Sequence, residues 1–282
     1  MADLYHRTST ELSVLVPEVW SRRYYDVLLA QLPFNSVISR DYEGDIQSVG
    51  DRVKISTFPE FAAATLLANE EDAVDADAVT VTQQELVINK LIAKDFILTN
   101  KAMLQSLPAM EKLQEMAIYA INKKIQSEIV AAIVPSAAAP DHAIGYTAGT
   151  TLALADMLAA KELLDAQDVP FSDRHMVVGA AQLNDIFNIT GFTSSDFLVS
   201  GAPLQTGQLP PALLGFMPHF TTEAGANVSY FFHSSFMTIA AQQGLNIQQY
   251  DKGVDGIRAV RVNCDTLIGL KQLSNIRVVT IS

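Results

Sequence analysis

The chain has 282 residues, one cysteine, 49% hydrophobic and 18% charged residues and a net charge of −12, which sets it apart from disordered, collagen-like and disulfide-framed proteins. No run of eighteen apolar residues occurs, and the opening MADLYHRTSTELSVLVPEVW holds no apolar stretch longer than VLV, so neither a membrane span nor a secretory signal is expected. This length suits one large domain or two interleaved ones, and a mean hydropathy of +0.19 hints at extra surface buried in an assembly.

The first element in the chain is VPEVWSRRYYDVLLAQLPF, which opens at Pro17 and stops at Pro33, a helix of about four turns. Trp20, Tyr24, Val27, Leu28 and Gln31 share one side, with Arg22 and Arg23 off that stripe. Two arginines among Glu18 and Asp26 make no cationic platform for nucleic acid, so the segment reads as an amphipathic arm lying on protein.

Two strand patterns follow. In GDRVKISTF, Val53 and Ile55 alternate with Arg52, Lys54 and Ser56; in VTVTQQ, Val79 and Val81 alternate with threonines. Between them PEFAAATLLANEEDAVDADA carries six carboxylates and no lysine or arginine, with Phe58, Phe61, Leu66 and Leu67 as an apolar cluster before an acidic tip. A two-stranded ribbon is marginal alone in water, so its apolar face needs cover from the rest of the chain or from a neighbour.

Ser106 is placed to cap a helix with Pro108 in its first turn, and no breaker appears until Pro135, which predicts a spine helix over 106–134. Met110, Leu113, Ala117, Ile121, Ile125 and Ile129 form its inner stripe. PSAAAPDHAIGYTAGT is a break in composition that marks a lobe boundary. After it, LALADMLAAKELLDAQD reads as a helix, RHMVVG as a buried strand and AAQLNDIFNI as a helix capped by Gly191. Residues 191–225 read as loop, VSYFFHSSFMTIAAQQ, GIRAVRVN and IRVVTIS as strands, and DKGVDG as a turn. The class is mixed α+β with discontinuous lobes.

The chemistry-bearing patterns are missing. No nucleophile elbow, P-loop, GxGxxG or HExxH is present, and His6, His142, His175, His219 and His233 are scattered without ligand spacing. They read as surface or structural histidines. Asp75 and Asp77 imitate the start of a calcium loop, but the turn glycine is absent and Leu86 stands at the twelfth position. Glu162, Asp165 and Asp168 read as an exposed helix face, and Cys264 as a small buried hydrophobe in a reducing cytoplasm. From Ile125 to Asp251 only Lys161 and Arg174 oppose eleven acids, so this stretch offers no grip for phosphates. No catalytic residue, metal or cofactor is expected.

The order of these elements resembles the major capsid proteins of tailed bacteriophages, whose shared architecture is called the Hong Kong ninety-seven fold. GDRVKIS resembles that family's first extended-loop strand, RHMVVGAAQLNDIF its strand and following helix, and GQLPPALLGF the segment before its later strands. The resemblance covers nearly the whole chain. It implies an N-terminal arm over 1–46, an extended hairpin loop over 47–99, a peripheral domain over 100–144 and 241–282 holding the spine helix, and an axial domain over 145–240. The later C-terminal strands would return to the peripheral domain.

It further implies a shell subunit that assembles with itself as pentamers and hexamers in a phage head, enclosing double-stranded DNA without reading its sequence, with separate scaffolding and portal proteins as partners. Assembly would take place in the host bacterial cytoplasm. The extended loop of such proteins lies across an adjacent subunit. The interface would then be carried by Trp20, Arg22, Arg23 and Tyr24 of the arm, Arg52, Val53, Lys54 and Ile55 of the ribbon, Phe58 and Phe61 beyond it, and Glu70, Glu71 and Asp72 at the tip. Some relatives crosslink through a lysine in this loop; none lies between Lys54 and Lys90, so crosslinking by that route is not expected. An encapsulin-type compartment shell, a tail or adaptor component and an acidic α+β enzyme are the alternative readings.

Overall fold

The computed structural model describes residues 29–43, 51–58, 61, 64, 66, 78–99, 107–147, 149, 151–189, 211–225, 227–251 and 259–282. The chain divides into residues 1–30 and 31–282. Of the first unit only Leu29 and Ala30 are described, both outside any helix or strand.

The second unit is built on two sheets and a long helix. One sheet is antiparallel in the order β1 (Arg52–Thr57), β2 (Thr82–Thr99), β8 (Ala259–Gln272), β7 (Met237–Asp251). The other is mixed, in the order β3 (Ala143–Ile144), β9 (Val278–Ile281), β6 (Ser229–His233), β4 (Arg174–Val178), β5 (Met217–Phe220). The helices are α1 (Phe34–Val37), α2 (Leu107–Ala131), α3 (Leu154–Asp165) and α4 (Ala180–Asn188).

The 25-residue α2 is about 37 Å long at 1.5 Å per residue. Its Ala117, Ile121 and Ile129 are buried as their spacing predicted, while Leu113 is exposed. They share one core with Ile92, Val262, Cys264 and Ile268 of the first sheet and with Val177, Tyr230, Phe232 and Val278 of the second. Phe34 of α1 stacks on Phe232 in this core, ring centroids 5.5 Å apart. A second core beneath α3 joins Met157, Ala160 and Leu164 to Met176, Val178, Phe231 and Val279. RHMVV is buried at all five positions because β4 is covered on both faces, with Val177 in the first core and Met176 and Val178 in the second.

Several boundaries differ from the sequence expectation. Residues 29–32 are not helical, and helix begins after Pro33, whose φ of −67° suits an entry into α1; the rest of the expected arm helix lies outside the described residues. The second hairpin strand starts at Thr82 and not Val79, because β1 gives it no partner past the pair Thr57 and Thr82. α2 stops at Ala131, three residues short, and Gln272 takes up the freed backbone by accepting from the Val134 N–H at 2.8 Å and donating to its carbonyl at 2.7 Å. α4 ends at Asn188 with Ile189 extended; Gly191, the acidic tip, Ser106 and the DKGVDG turn fall outside the described residues.

The stretch read as loop contains β5, whose Pro218 is tolerated because the strand sits at a sheet edge. The strand at GIRAVRVN runs on to Gln272. The C-terminal strands part company: β8 enters the first sheet, whereas β9 pairs with β6 and β3 in the second.

Asp165 does not belong to a merely solvated face. It binds Lys161 and the buried Arg174, both at 2.6 Å. Although burial opposes ionisation, those two cations hold its carboxyl below the usual carboxylate range. The two basic residues of the acidic stretch thus meet on one carboxylate.

Candidate subunit interface

The ribbon is anchored by its own chain. β1 pairs with β2 from Arg52 opposite Val87 to Thr57 opposite Thr82, and β2 then continues along β8 to Thr99. Ile55, only 8% exposed, packs with Leu86 and Ala240 and against Tyr42, Val53 and Leu273. Of the two covers open to the ribbon, the rest of the chain and a neighbour, the chain itself supplies the one at its base, because β2 is shared between hairpin and sheet; the ribbon's root therefore needs no second molecule to hold its shape. Arg52 reaches Asp51 and Glu85, each at 3.2 Å, in solvent-exposed ion pairs, and Lys54 points to solvent.

Beyond the base the side chains lose that cover. Phe58 is 72% exposed, Phe61 63% and Leu66 95%, and Val79 and Val81 are exposed on the returning side. A cavity of about 400 Å³ lined by Tyr42, Ile55, Phe58, Gln84, Leu273 and Arg277 opens at this point. A second, of about 320 Å³, lies between α2 and the first sheet, lined by Ile118, Ile125, Ile239, Leu245, Arg40 and Glu43. Arg40 is half exposed and sits 3.6 Å from Glu43. Trp20, Arg22, Arg23, Tyr24, Glu70, Glu71 and Asp72 lie outside the described residues.

The ribbon is joined to the spine helix by charge. Lys90 on β2 and Lys124 on α2 both bind Glu128, Lys124 at 2.7 Å. Their hydrogen bonds, Lys124 first, lower the Glu128 carboxyl to about 2. Leu91 and Ile97, on the outward face of β2, and Leu158 and Phe171, beside α3, are further exposed apolar side chains. Sequence reading passed over all four. Leu91 and Ile97 sit inside a strand whose alternation a bulge between Ile88 and Lys90 disrupts, and Phe171 is an isolated aromatic between Pro170 and Ser172.

Among the described residues no three His, Cys, Asp or Glu side chains gather as metal ligands, and no helix is long and apolar enough to cross a membrane.

A family model described as phage capsid protein matches residues 44–253, from the ribbon to the end of β7. The chain belongs to the phage capsid protein family. A comparison with curated protein sequences returns no match. Among solved structures, this capsid protein is similar to a chain from Mycobacterium phage Che8, at 23% identity and a TM-score of 0.76 over 95% of this chain and 97% of that one. It is also similar to the capsid of cyanophage P-SCSP1u, at 11% identity and a TM-score of 0.75 over 97% and 94%. The asymmetric unit of the bacteriophage PhiM1 mature capsid gives 11% identity and a TM-score of 0.72 over 95% and 91%. At such identities the likeness is one of fold, and it extends over almost the full length of each partner. Fold and family together make this a structural, major capsid protein of the tailed-phage kind, and they favour that reading over the encapsulin-type shell.

Proposed function

We propose that the chain is the repeating subunit of an icosahedral phage head, assembled from pentamers and hexamers of itself around double-stranded DNA, and that it has no catalytic role. The observation that carries the reading is the pair Phe58 and Phe61: two large aromatics left in solvent immediately beyond a ribbon that is otherwise held by its own core. Exposed aromatics on an anchored projection suit a surface that buries them on a neighbour. Val53 and Ile55 hold the ribbon's root, and Arg52 and Lys54 flank it. The paucity of basic residues between Ile125 and Asp251 supports a shell that contains DNA without gripping it. Scaffolding and portal proteins would be separate chains, and the site of assembly the host cytoplasm.

Closed shells repeat a few contacts many times, each of standard size near 1,600 Å² in total. Burying a phenylalanine contributes roughly 1.5–3 kcal/mol. The variant Phe58→Ser with Phe61→Ser is therefore expected to keep its circular dichroism and melting temperature. The concentration at which shells form should rise about a hundredfold, each 1.4 kcal/mol being a factor of ten. Electron microscopy with light scattering reads the outcome, with any scaffold co-expressed. Unaltered assembly of this double variant would remove the two aromatics from the interface, and a protein that forms no shell, ring or tube under any condition would remove the reading itself.

A further inference from the structure

Three of the five histidines, far apart in sequence, lie on three adjacent strands of the second sheet, and two of them touch. β4 and β5 run parallel with His175 opposite Met217 and Val177 opposite His219, and the imidazoles of His175 and His219 lie Nδ1 to Nε2 at 3.1 Å. His233 stands opposite Arg174 on the other side of β4. His175 and His233 are buried.

The contacts depend on how many protons the rings carry. The His175–His219 contact needs one nitrogen to donate and the other to accept, so it survives a first proton as a charged hydrogen bond and is broken by a second, when both rings become donors. His233 uses Nδ1 to accept from the Ser235 N–H at 3.2 Å, with the Ser235 hydroxyl at 2.7 Å from the same nitrogen, and Arg277 donates to that hydroxyl at 2.7 Å. Protonation at Nδ1 removes the contact with the Ser235 N–H and reverses the one with the hydroxyl, which then accepts from the ring. The charged groups acting on the trio are Asp173 in the turn before β4, Arg174 on β4 and Arg277 ahead of β9, one anion against two cations.

β5 has one neighbour to hold it. It lies at the sheet edge, bonded to β4 alone. The residues after it tie the sheet to the spine helix: the Thr221 hydroxyl donates to the Gln31 carbonyl at 2.6 Å and accepts from Gln126 at 3.3 Å, and Glu223 binds Lys123 at 2.7 Å.

We propose that His175, His219 and His233 form an acid-sensitive joint, whose protonation frees the edge strand β5 from β4 and, through Thr221 and Glu223, loosens the second sheet from the spine helix. This is a property of the folded subunit and does not depend on the shell reading. Burial holds all three imidazoles below the ordinary value of 6.5, His175 at about 4; the neighbouring His219 adds to it at His175, and Arg277 at His233. The unfolded or locally opened chain therefore binds more protons than the closed one, and closure weakens as pH falls from 6.5 towards about 4. Asp165 and Glu128 are held below the carboxylate range, which separates their titration from this window.

The test is hydrogen–deuterium exchange of the full chain at pH 7 and at about pH 4.5, corrected for intrinsic rates, with His219→Gln as the non-titrating comparison. Residues 217–223 should exchange about tenfold faster in acid in the parent, with strands β7 and β8 unchanged, and about threefold or less in the variant. Should His219→Gln fail to fold, His233→Asn serves in its place. Equal protection of 217–223 at both pH values, or the same acid response in the variant, overturns the proposal.

Discussion

Arg174 illustrates how one side chain organises a surface. It is almost wholly buried, bonded to Asp165 and to the carbonyls of Val169 and Pro170, and its guanidinium lies 4.6 Å from the centroid of the exposed Phe171 ring. Replacing it by alanine leaves those two carbonyls without their donor and leaves Asp165 to Lys161 alone, so Arg174→Ala is expected to cost about 3 kcal/mol. Lys161 is about one-third exposed, and Lys161→Ala should cost less than about 1 kcal/mol. Urea unfolding of the two variants at neutral pH separates them, and equal losses would refute the special standing of Arg174. At this scale the sequence was only partly legible. The scarcity of basic residues between Ile125 and Asp251 could be counted, but that both would converge on Asp165 depends on the turn from α3 into β4. The meeting of His175 with His219 was hidden for the same reason, since β4 and β5 are separated by about forty residues and joined only by register.

At the scale of the element, Gly269 lets β8 approach β2 closely. A Cβ there would stand 2.7 Å from the Val87 carbonyl oxygen and 3.1 Å from the Ile88 Cα, where the register of β2 against β8 shifts. A strand glycine at a close backbone approach is a fitted position, not a weak point. Gly269→Ala is expected to destabilise by about 1–3 kcal/mol and to raise amide exchange along β2, measured by thermal unfolding and exchange mass spectrometry. Retained stability would show that the bulge relaxes freely. The same residue explains a sequence error, because glycine in LIGLK obscured the continuation of β8 to Gln272. Elements with a clear apolar pattern were readable: α2 from its stripe at Ala117, Ile121 and Ile129, β4 from the MVV of RHMVV. Their ends were set by partners distant in sequence, such as Gln272 for α2 and Thr57 for β2.

For the whole molecule, the order of elements was more legible than any one of them, since a hairpin, a long helix, a helix–strand–helix unit and late strands follow one another as the resemblance requires. The lobes were less so: β9 returns to the sheet that holds β4 and β6, a crossover no local pattern announces. Charge acts at this scale too. Copies with a net charge of −12 repel, and acids at Glu70, Glu71 and Asp72 add to that unless they meet Arg22, Arg23 or Arg40 of a neighbour. Reversing those three arginines to glutamate is expected to raise the assembly concentration at about 0.01 M salt and to matter far less at about 1 M, where screening falls from about 30 Å to about 3 Å. Light scattering that shows no change at low salt would remove the pairing. The spine helix imposes a last geometric condition. Because its buried side lies in one core with strands of both sheets, those parts tilt together as a rigid tile. In the proposed shell, the difference in curvature between a five-membered ring and a six-membered one would then be taken up at the tile's margins, by the projecting ribbon and not by its body.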